Sequence, residues 1–287
     1  MAAADRLILL TGAAGFVGRQ VLRTLAERGC KVRAVVRANA DDDAAMATLA
    51  TMAPAGAIES VVTTADLWAE SADWCAKACG GVDTVIHAAW YAEPGLYLHS
   101  PKNADCEQGT LRLAQGAAAA GVRRFAGIGT CFEYDTSAGT LRVTTPLRPH
   151  TPYGAAKVAT FRALSEFLPR RHVEFVWCRL FYLHGDGEDP RRLMPVLRSK
   201  LAAGEPVELG SGTQVRDYLD VVDAARLIVE AALGPVQGPV NICSGRAVTI
   251  RQLAERIADE YGRRDLLHFG ARADNPADPP FIVGVRD

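Results

Sequence analysis

The sequence predicts an α/β protein built on a doubly wound parallel sheet, with a smaller lobe toward the C-terminus. Three observations lead there. Short, wholly apolar runs alternate with stretches of helical period through residue 180. The first of those runs opens directly into a glycine-rich turn, and the alternation loosens after about residue 181, where Gly and Pro become frequent. Strands buried on both faces read as continuous apolar runs, and strand–helix alternation implies right-handed crossovers.

Residues 7–10 (LILL) form the first run. After the turn, Phe16, Val17, Val21, Leu22 and Leu25 recur at helical spacing, and Gly29 stops them. Residues 31–37 (KVRAVVR) give a second strand and 58–62 a third, with the Ala-, Asp- and Thr-rich stretch 41–57 read as an exposed excursion between them. A helical stretch carrying Trp68, Trp74 and Cys75 leads to a fourth strand at 82–87. A long helix at 101–120, a fifth strand at 123–129, a helix at 152–168 with Pro at its start, and a strand at 173–180 complete a first domain, 1–180. Residues 181–287 read as a substrate-binding lobe of loops and short elements, from which a helix at 221–233 returns to the first domain.

Composition narrows the function. The 287 residues are 49% hydrophobic and 23% charged with a net charge of −1, so no positive field exists to draw nucleic acid or an acidic membrane. The seven cysteines are scattered, with no C-x-x-C and no zinc-ligand spacing to histidine. Free thiols in a reducing cytosol are the expectation, with no metal site. No signal-peptide core begins the chain, and no apolar run approaches the roughly 18 residues of a membrane span. The reading is a cytoplasmic protein with a small-molecule partner.

Three motifs carry chemistry. Thr11-Gly12-Ala13-Ala14-Gly15-Phe16-Val17-Gly18 lies between a strand and a helix, where glycines let backbone N–H groups approach a pyrophosphate at the helix N-terminus. Tyr153-Gly154-Ala155-Ala156-Lys157 places a phenol and an ammonium on one helix face. The ammonium is expected to pull the Tyr153 pKa down, making it a proton donor or acceptor near neutral pH. A surface tyrosine beside a lysine is the plainer alternative, and the dinucleotide turn upstream favours catalysis. Third, Gly129-Thr130-Cys131-Phe132-Glu133-Tyr134 ends the fifth strand, where doubly wound sheets bind ligands and a hydroxyl can hold a carbonyl oxygen.

Together these residues resemble the extended short-chain dehydrogenase/reductase family, the nucleotide-sugar epimerases, dehydratases and reductases. The resemblance runs through TGAAGFVG, Asp66-Leu67, His87-Ala88-Ala89, Thr130 four residues before Tyr134, Tyr153-x-x-x-Lys157, and Arg216-Asp217-Tyr218 followed by Val221-Val222-Asp223. It implies a Rossmann-like fold with Thr130, Tyr153 and Lys157 as catalytic triad. It also implies Gly12, Ala14, Gly15, Phe16, Val17, Ala88 and Ala89 around the dinucleotide, and Asp66 and Leu67 beside its adenine. Arg216 is implied as a contact of the nucleotide-sugar pyrophosphate. The helices at 101–120 and 152–168 resemble the pair that forms the family's four-helix homodimer interface.

Departures from the family pattern are informative. Sugar dehydratases carry Asp-Glu directly after the catalytic Ser/Thr, whereas this chain has Cys131 and Phe132. Cys106 and Tyr182 stand where the family has asparagines, so the sugar-facing side is non-standard. GTCFEYD is most similar to the branch that reduces nucleotide-linked 4-keto-6-deoxyhexoses. An NAD site usually places a carboxylate after the second strand. Here that position reads Val36-Arg37-Ala38-Asn39, and the first acid is Asp41. Arg37 suits a 2′-phosphate, so NADP(H) is favoured, with NAD(H) the alternative. His87 reads as structural. Trp90 and Tyr91 either wall the sugar pocket or pack, and Arg191 and Arg192 lean toward solvent.

The sequence thus points to an NADP(H)-dependent nucleotide-sugar 4-ketoreductase in deoxysugar biosynthesis, with Trp90, Cys131, Phe132, Tyr182 and Arg216 on the substrate side. An NAD-dependent nucleotide-sugar 4-epimerase is the first alternative, and a non-catalytic NADP-sensing regulator is one of another class.

Overall fold

A computed structural model describes residues 6–38, 47, 49–54 and 56–286. Seven parallel strands form the central sheet: β1 (Leu7–Thr11), β2 (Lys31–Arg37), β3 (Ile58–Thr64), β4 (Thr84–His87), β5 (Arg124–Thr130), β7 (Glu174–Leu180) and β12 (Gly238–Ile242). Their order is β12-β7-β5-β4-β1-β2-β3. The chain winds outward from β1 to β3, then recrosses to β4 on the other side of β1. That reversal opens a crevice at the carboxyl ends of β1 and β4, the place where such sheets bind ligands.

The apolar runs become strands because both sheet faces are covered. Ile8 and Leu10 point to one face, against α1 (Phe16–Glu27) and α6 (Val221–Leu233). Leu9, Val85, Phe125 and Trp177 point to the other, against α2 (Ala72–Ala78), α3 (Lys102–Ala119) and α4 (Pro152–Phe167). Local signals set the helix ends. Gly29 takes a φ of 74° just past α1. Thr151 caps α4 by accepting a hydrogen bond from the Gly154 N–H at 3.1 Å, with Pro152 at the first position.

Beyond β7 lie β8 (Tyr182–His184), paired with β11 (Tyr218–Asp220), and α5 (Leu193–Ala203), packed with α7 (Ile250–Tyr261) around Leu197, Leu201, Leu253 and Ile257. A four-stranded sheet orders β13 (Val248–Thr249), β10 (Val215–Arg216), β15 (Phe281–Gly284) and β6 (Thr140–Leu141). A further pair joins β9 (Val207–Leu209) to β14 (Leu267–Phe269).

The sequence boundary at 180 is not clean. Besides α6, strand β12 returns to the main sheet and pairs with β7, while β6, from the first 180 residues, pairs with β15. Edge pairing with β7 satisfies the backbone of a short strand whose sequence, GPVNI, carries little helical or strand period of its own. Asn39, residues 41–46 (Asp41 among them), 48 and 55 lie outside the described residues. In the described part of 41–57 the expected exposure is overturned, since Leu49 and Ala53 are buried as apolar side chains in the core on the α1 face of the sheet. No helix among the described residues is long and apolar enough to cross a membrane.

Gly18 shows how tightly α1 sits on the first turn. A Cβ there would stand 2.0 Å from the Gly12 carbonyl oxygen. Gly18→Ala is expected to destabilise the fold by about 1–3 kcal/mol through overpacking, read as a lower urea midpoint with unchanged slope.

Candidate active site

The glycine turn after β1 forms a cradle at the N-terminus of α1. Gly12 has a φ of 70°, and a Cβ on it would lie 2.8 Å from the Ala89 N. Ala88 N–H donates to the Thr11 carbonyl at 3.3 Å and Ala89 N–H to Thr11 Oγ1 at 3.2 Å, which seats the start of the β4 loop beside the turn. Ala14 and Gly15 are exposed, Phe16 and Val17 begin the helix, and Gly15 supplies no side chain to cap it. Uncapped N–H groups, a positive helix end and positions closed to any Cβ fit a dinucleotide pyrophosphate. Arg19 lies over the same turn, donating to Gly15 O and Ala14 O at 3.4 Å each.

Arg37 ends β2 and is exposed. Asp66 follows β3 in an exposed turn, with its N–H bound to Thr64 Oγ1 at 3.2 Å and its Oδ1 accepting from Trp68 N–H at 3.0 Å. Leu67 packs half-buried against the core beneath. His87 at the end of β4 is fully enclosed between Thr11 Oγ1 at 2.8 Å and Thr110 Oγ1 at 2.9 Å. Burial pushes its pKa down to about 3, so it stays neutral and joins β1 to α3.

Thr130, Tyr153 and Lys157 come together at the carboxyl end of β5. Thr130 is the last residue of that strand, and its side chain lies beside the Tyr153 phenol, opposing the effect of burial on it. Lys157 is buried one turn further along α4. Its ammonium donates to the Ile128 carbonyl at 2.6 Å and lies 3.6 Å from the centre of the Trp90 ring.

The expected lowering of Tyr153 is overturned. Burial, reinforced by the neighbouring Tyr97, raises its pKa instead. The ammonium is engaged elsewhere, 5.9 Å from the Tyr153 ring centre, and burial pushes Lys157 down to about 7. Desolvation therefore outweighs the attraction of the pair.

Trp90 faces the triad, with its indole N–H on Asn103 Oδ1 at 2.9 Å and its ring 6.3 Å from that of Tyr153. Tyr97 stacks edge-on to Tyr153 at 4.9 Å, and Arg192 lies 5.5 Å over Tyr97. Arg191 pairs with Glu93 at 2.7 Å, tying the segment after β4 to the loop after β8. Arg191 is exposed, as read from the sequence, while Arg192 is half-buried over Tyr97.

On the lobe side, Cys131 is buried and its thiol is pushed up to about 12. Phe132, Tyr182 and Tyr218 form an aromatic row, with ring centres 6.2 and 5.4 Å apart. Arg216 in β10 is buried over Tyr182 and pairs with Asp278 at 2.7 Å. Beside it opens a cavity of about 360 Å³, lined by residues that include Gln214, Tyr218 and Arg272.

Sequence reasoning missed Tyr97, Asp278 and a buried cluster behind β5. Glu133 is fully buried. Its Oε1 accepts from the Thr130 N–H at 2.8 Å and from Trp177 Nε1 at 2.9 Å, while Oε2 meets Arg179 Nε at 2.6 Å. Thr130-x-x-Glu133 is a capping-box pattern, a signal legible in the sequence. Tyr97 and Asp278 carry no such local signal.

Residues 8–243 match the model of the NAD dependent epimerase/dehydratase family. The chain is 25% identical to the dTDP-6-deoxy-L-talose 4-dehydrogenase (NAD(+)) of Aggregatibacter actinomycetemcomitans over 256 residues, 88% of this chain and 90% of that one. It is 25% identical to the dTDP-4-dehydro-6-deoxy-D-allose reductase of Streptomyces bikiniensis over 285 residues, 93% of this chain and 84% of that one. Among solved structures, a UDP-N-acetylglucosamine 4-epimerase from Methanobrevibacter ruminantium M1 superposes with a TM-score of 0.83 at 21% identity, over 98% of this chain and 90% of that one. MoeE5, solved with UDP-glucose and NAD, gives 0.78 at 26%, over 96% and 88%. With its glycine cradle, its Tyr–Lys helix face and a family match over most of its length, the chain belongs to the NAD dependent epimerase/dehydratase family.

Proposed function

We propose that this enzyme reduces the 4-keto group of a nucleotide-linked 4-keto-6-deoxyhexose with NADPH. The observation that carries the reading is the surface beside the triad. Cys131 and Phe132 occupy the positions after Thr130, and Phe132 continues into Tyr182 and Tyr218. No carboxylate stands there to remove water from a sugar, and an apolar aromatic wall suits a carbon that has already lost its hydroxyl. Relatives named as a 6-deoxytalose 4-dehydrogenase and a 4-dehydro-6-deoxyallose reductase support the same chemistry.

Bound at the glycine cradle, a reduced nicotinamide dinucleotide supplies the hydride. Thr130 holds the substrate carbonyl oxygen, and Tyr153, kept protonated by burial, donates its proton to that oxygen. Lys157 stabilises the phenolate so formed. Trp90 and Tyr97 exclude water from the pair. Arg216 moves from Asp278 to the pyrophosphate of the substrate, whose nucleoside fits the adjoining cavity. In the same reading a second copy of the chain packs against α3 and α4.

A second reading, an NAD-dependent 4-epimerase, draws support from the fold it shares with solved UDP-sugar 4-epimerases and from neighbours solved with NAD. The discriminating assay is cofactor stoichiometry. A reductase oxidises one NADPH per sugar, whereas an epimerase interconverts sugars with no net consumption.

Tyr153→Phe removes the transferable proton and little else. Turnover is expected to fall at least about 10²-fold while cofactor binding, read by fluorescence, persists. Near-wild-type turnover of a 4-keto-6-deoxy nucleotide sugar would defeat the mechanism.

Arg37→Asp tests the cofactor. A hydrogen bond between charged groups contributes about 1.5–3 kcal/mol, so NADPH is expected to weaken by roughly 10- to 150-fold or more, with NADH unharmed. The check is kcat/KM for both cofactors in both proteins. A wild-type preference for NADH leaves Arg37 a surface residue.

A further inference from the structure

Glu133 and Arg179 form a fully buried ion pair at 2.6 Å, directly behind the strand end that carries Thr130. Trp177 completes the cluster, and Arg179 reaches on to the Tyr134 hydroxyl at 3.1 Å, which donates to Asn241 Oδ1 at 2.7 Å. A buried ion pair seldom adds net stability over apolar packing of the same volume. An apolar replacement, however, could neither accept the Thr130 N–H nor carry a charge behind the triad.

We propose that Glu133 is a positioning residue of the reaction: its carboxylate fixes the backbone of Thr130 and supplies the negative charge facing Lys157 and Tyr153. The inference rests on the reading that Thr130, Tyr153 and Lys157 carry the proton transfer, and it holds for reduction and epimerisation alike.

Glu133 is the acid that bears on both Lys157 and Tyr153, with Arg179 as its counter-charge on the far side. Cys106 faces Lys157 from α3, with a raised thiol pKa of about 11, and His87 is held neutral. Tyr97 and Cys131 face Tyr153, and both have raised pKa values. Arg192 lies beyond Tyr97, and Arg179 lies on Tyr134 and Phe161 at 4.7 Å from each ring centre. Glu133 and Lys157 meet the same indole, with Trp177 Nε1 donating to the carboxylate at 2.9 Å and Lys157 Nζ 5.8 Å from the Trp177 ring centre. At that range Glu133 raises the pKa of Lys157 against the effect of burial and adds to that of Tyr153.

The sign follows. An anion favours the protonated form of both groups, so its loss lowers both pKa values. Reduction needs Tyr153 protonated and Lys157 charged, and it fails as pH rises through those values.

Glu133→Gln keeps an oxygen for the Thr130 N–H and removes the charge. In the full chain labelled with ¹³C-lysine, the Lys157 midpoint, assigned with Lys157→Met, is expected to fall by about one pH unit. In turnover, the high-pH limb of kcat moves the same way. Because the amide meets Arg179 with a donor facing a donor, the double variant Glu133→Gln/Arg179→Met supplies a folded alternative, in which the shifts keep their direction but are smaller because the opposing charge of Arg179 goes as well. An unmoved midpoint and an unmoved limb in a folded variant overturn the proposal, since a purely structural role would lower stability and leave both in place. A Tyr153→Phe chain that still turns over defeats the underlying reading instead, whatever Glu133→Gln does.

Discussion

The site depends on two positions in β5 that carry no side chain, Gly127 and Gly129. At Gly127 a Cβ would stand 2.4 Å from the Trp177 ring, and at Gly129 it would stand 2.2 Å from Trp177 Nε1 and 2.4 Å from Glu133 Oε1. Because both positions are bare, the indole of β7 lies across β5, and Glu133 folds back beneath it. That contact stiffens the end of β5, which positions Thr130 directly and Lys157 through the Ile128 carbonyl. A catalytic constellation needs its supporting groups locked as firmly as its reacting ones.

Much of the fold was legible in the sequence because its signals are local. Residues 31–37 and 221–233 match to the residue and the other central-sheet strands of 1–180 to within two, whereas the short β6 leaves no signal in the sequence. β12 was not, since GPVNI gains its strand conformation from pairing with β7, a partner about 60 residues away in sequence. The turn and Arg37 are legible from their places at strand ends, Tyr153 and Lys157 from their spacing on one helix face, and their grouping with Thr130 from the family resemblance. Tyr97 and Asp278 reach the cleft, and Arg179 the cluster behind β5, only through tertiary packing, and no periodicity reports such contacts. The Tyr153 pKa failed for a related reason: the Tyr-x-x-x-Lys spacing shows the ammonium but not the burial that outweighs it.

The cleft is also a meeting of two cores. Cys131, Tyr134, Leu141, Phe181, Cys243 and Ile282 pack where the carboxyl ends of β5 and β7 meet the four-stranded sheet. Residues on either side of that seam face the cleft, so the aromatic row and Arg216 hold fixed places relative to Thr130. The Arg191–Glu93 pair spans the same opening from the solvent side.

The burial of every cysteine gives the protein a built-in clock. None of the seven thiols is in a disulfide, and all are buried. Cys30 and Cys178 report on one face of the central sheet, Cys75 and Cys79 on the other, and Cys131 and Cys243 on the seam. The core of Leu197, Leu253 and Ile257 holds none. An alkylating reagent can reach each pair only when its own packing unit opens, so the order of labelling traces the sequence in which the molecule comes apart.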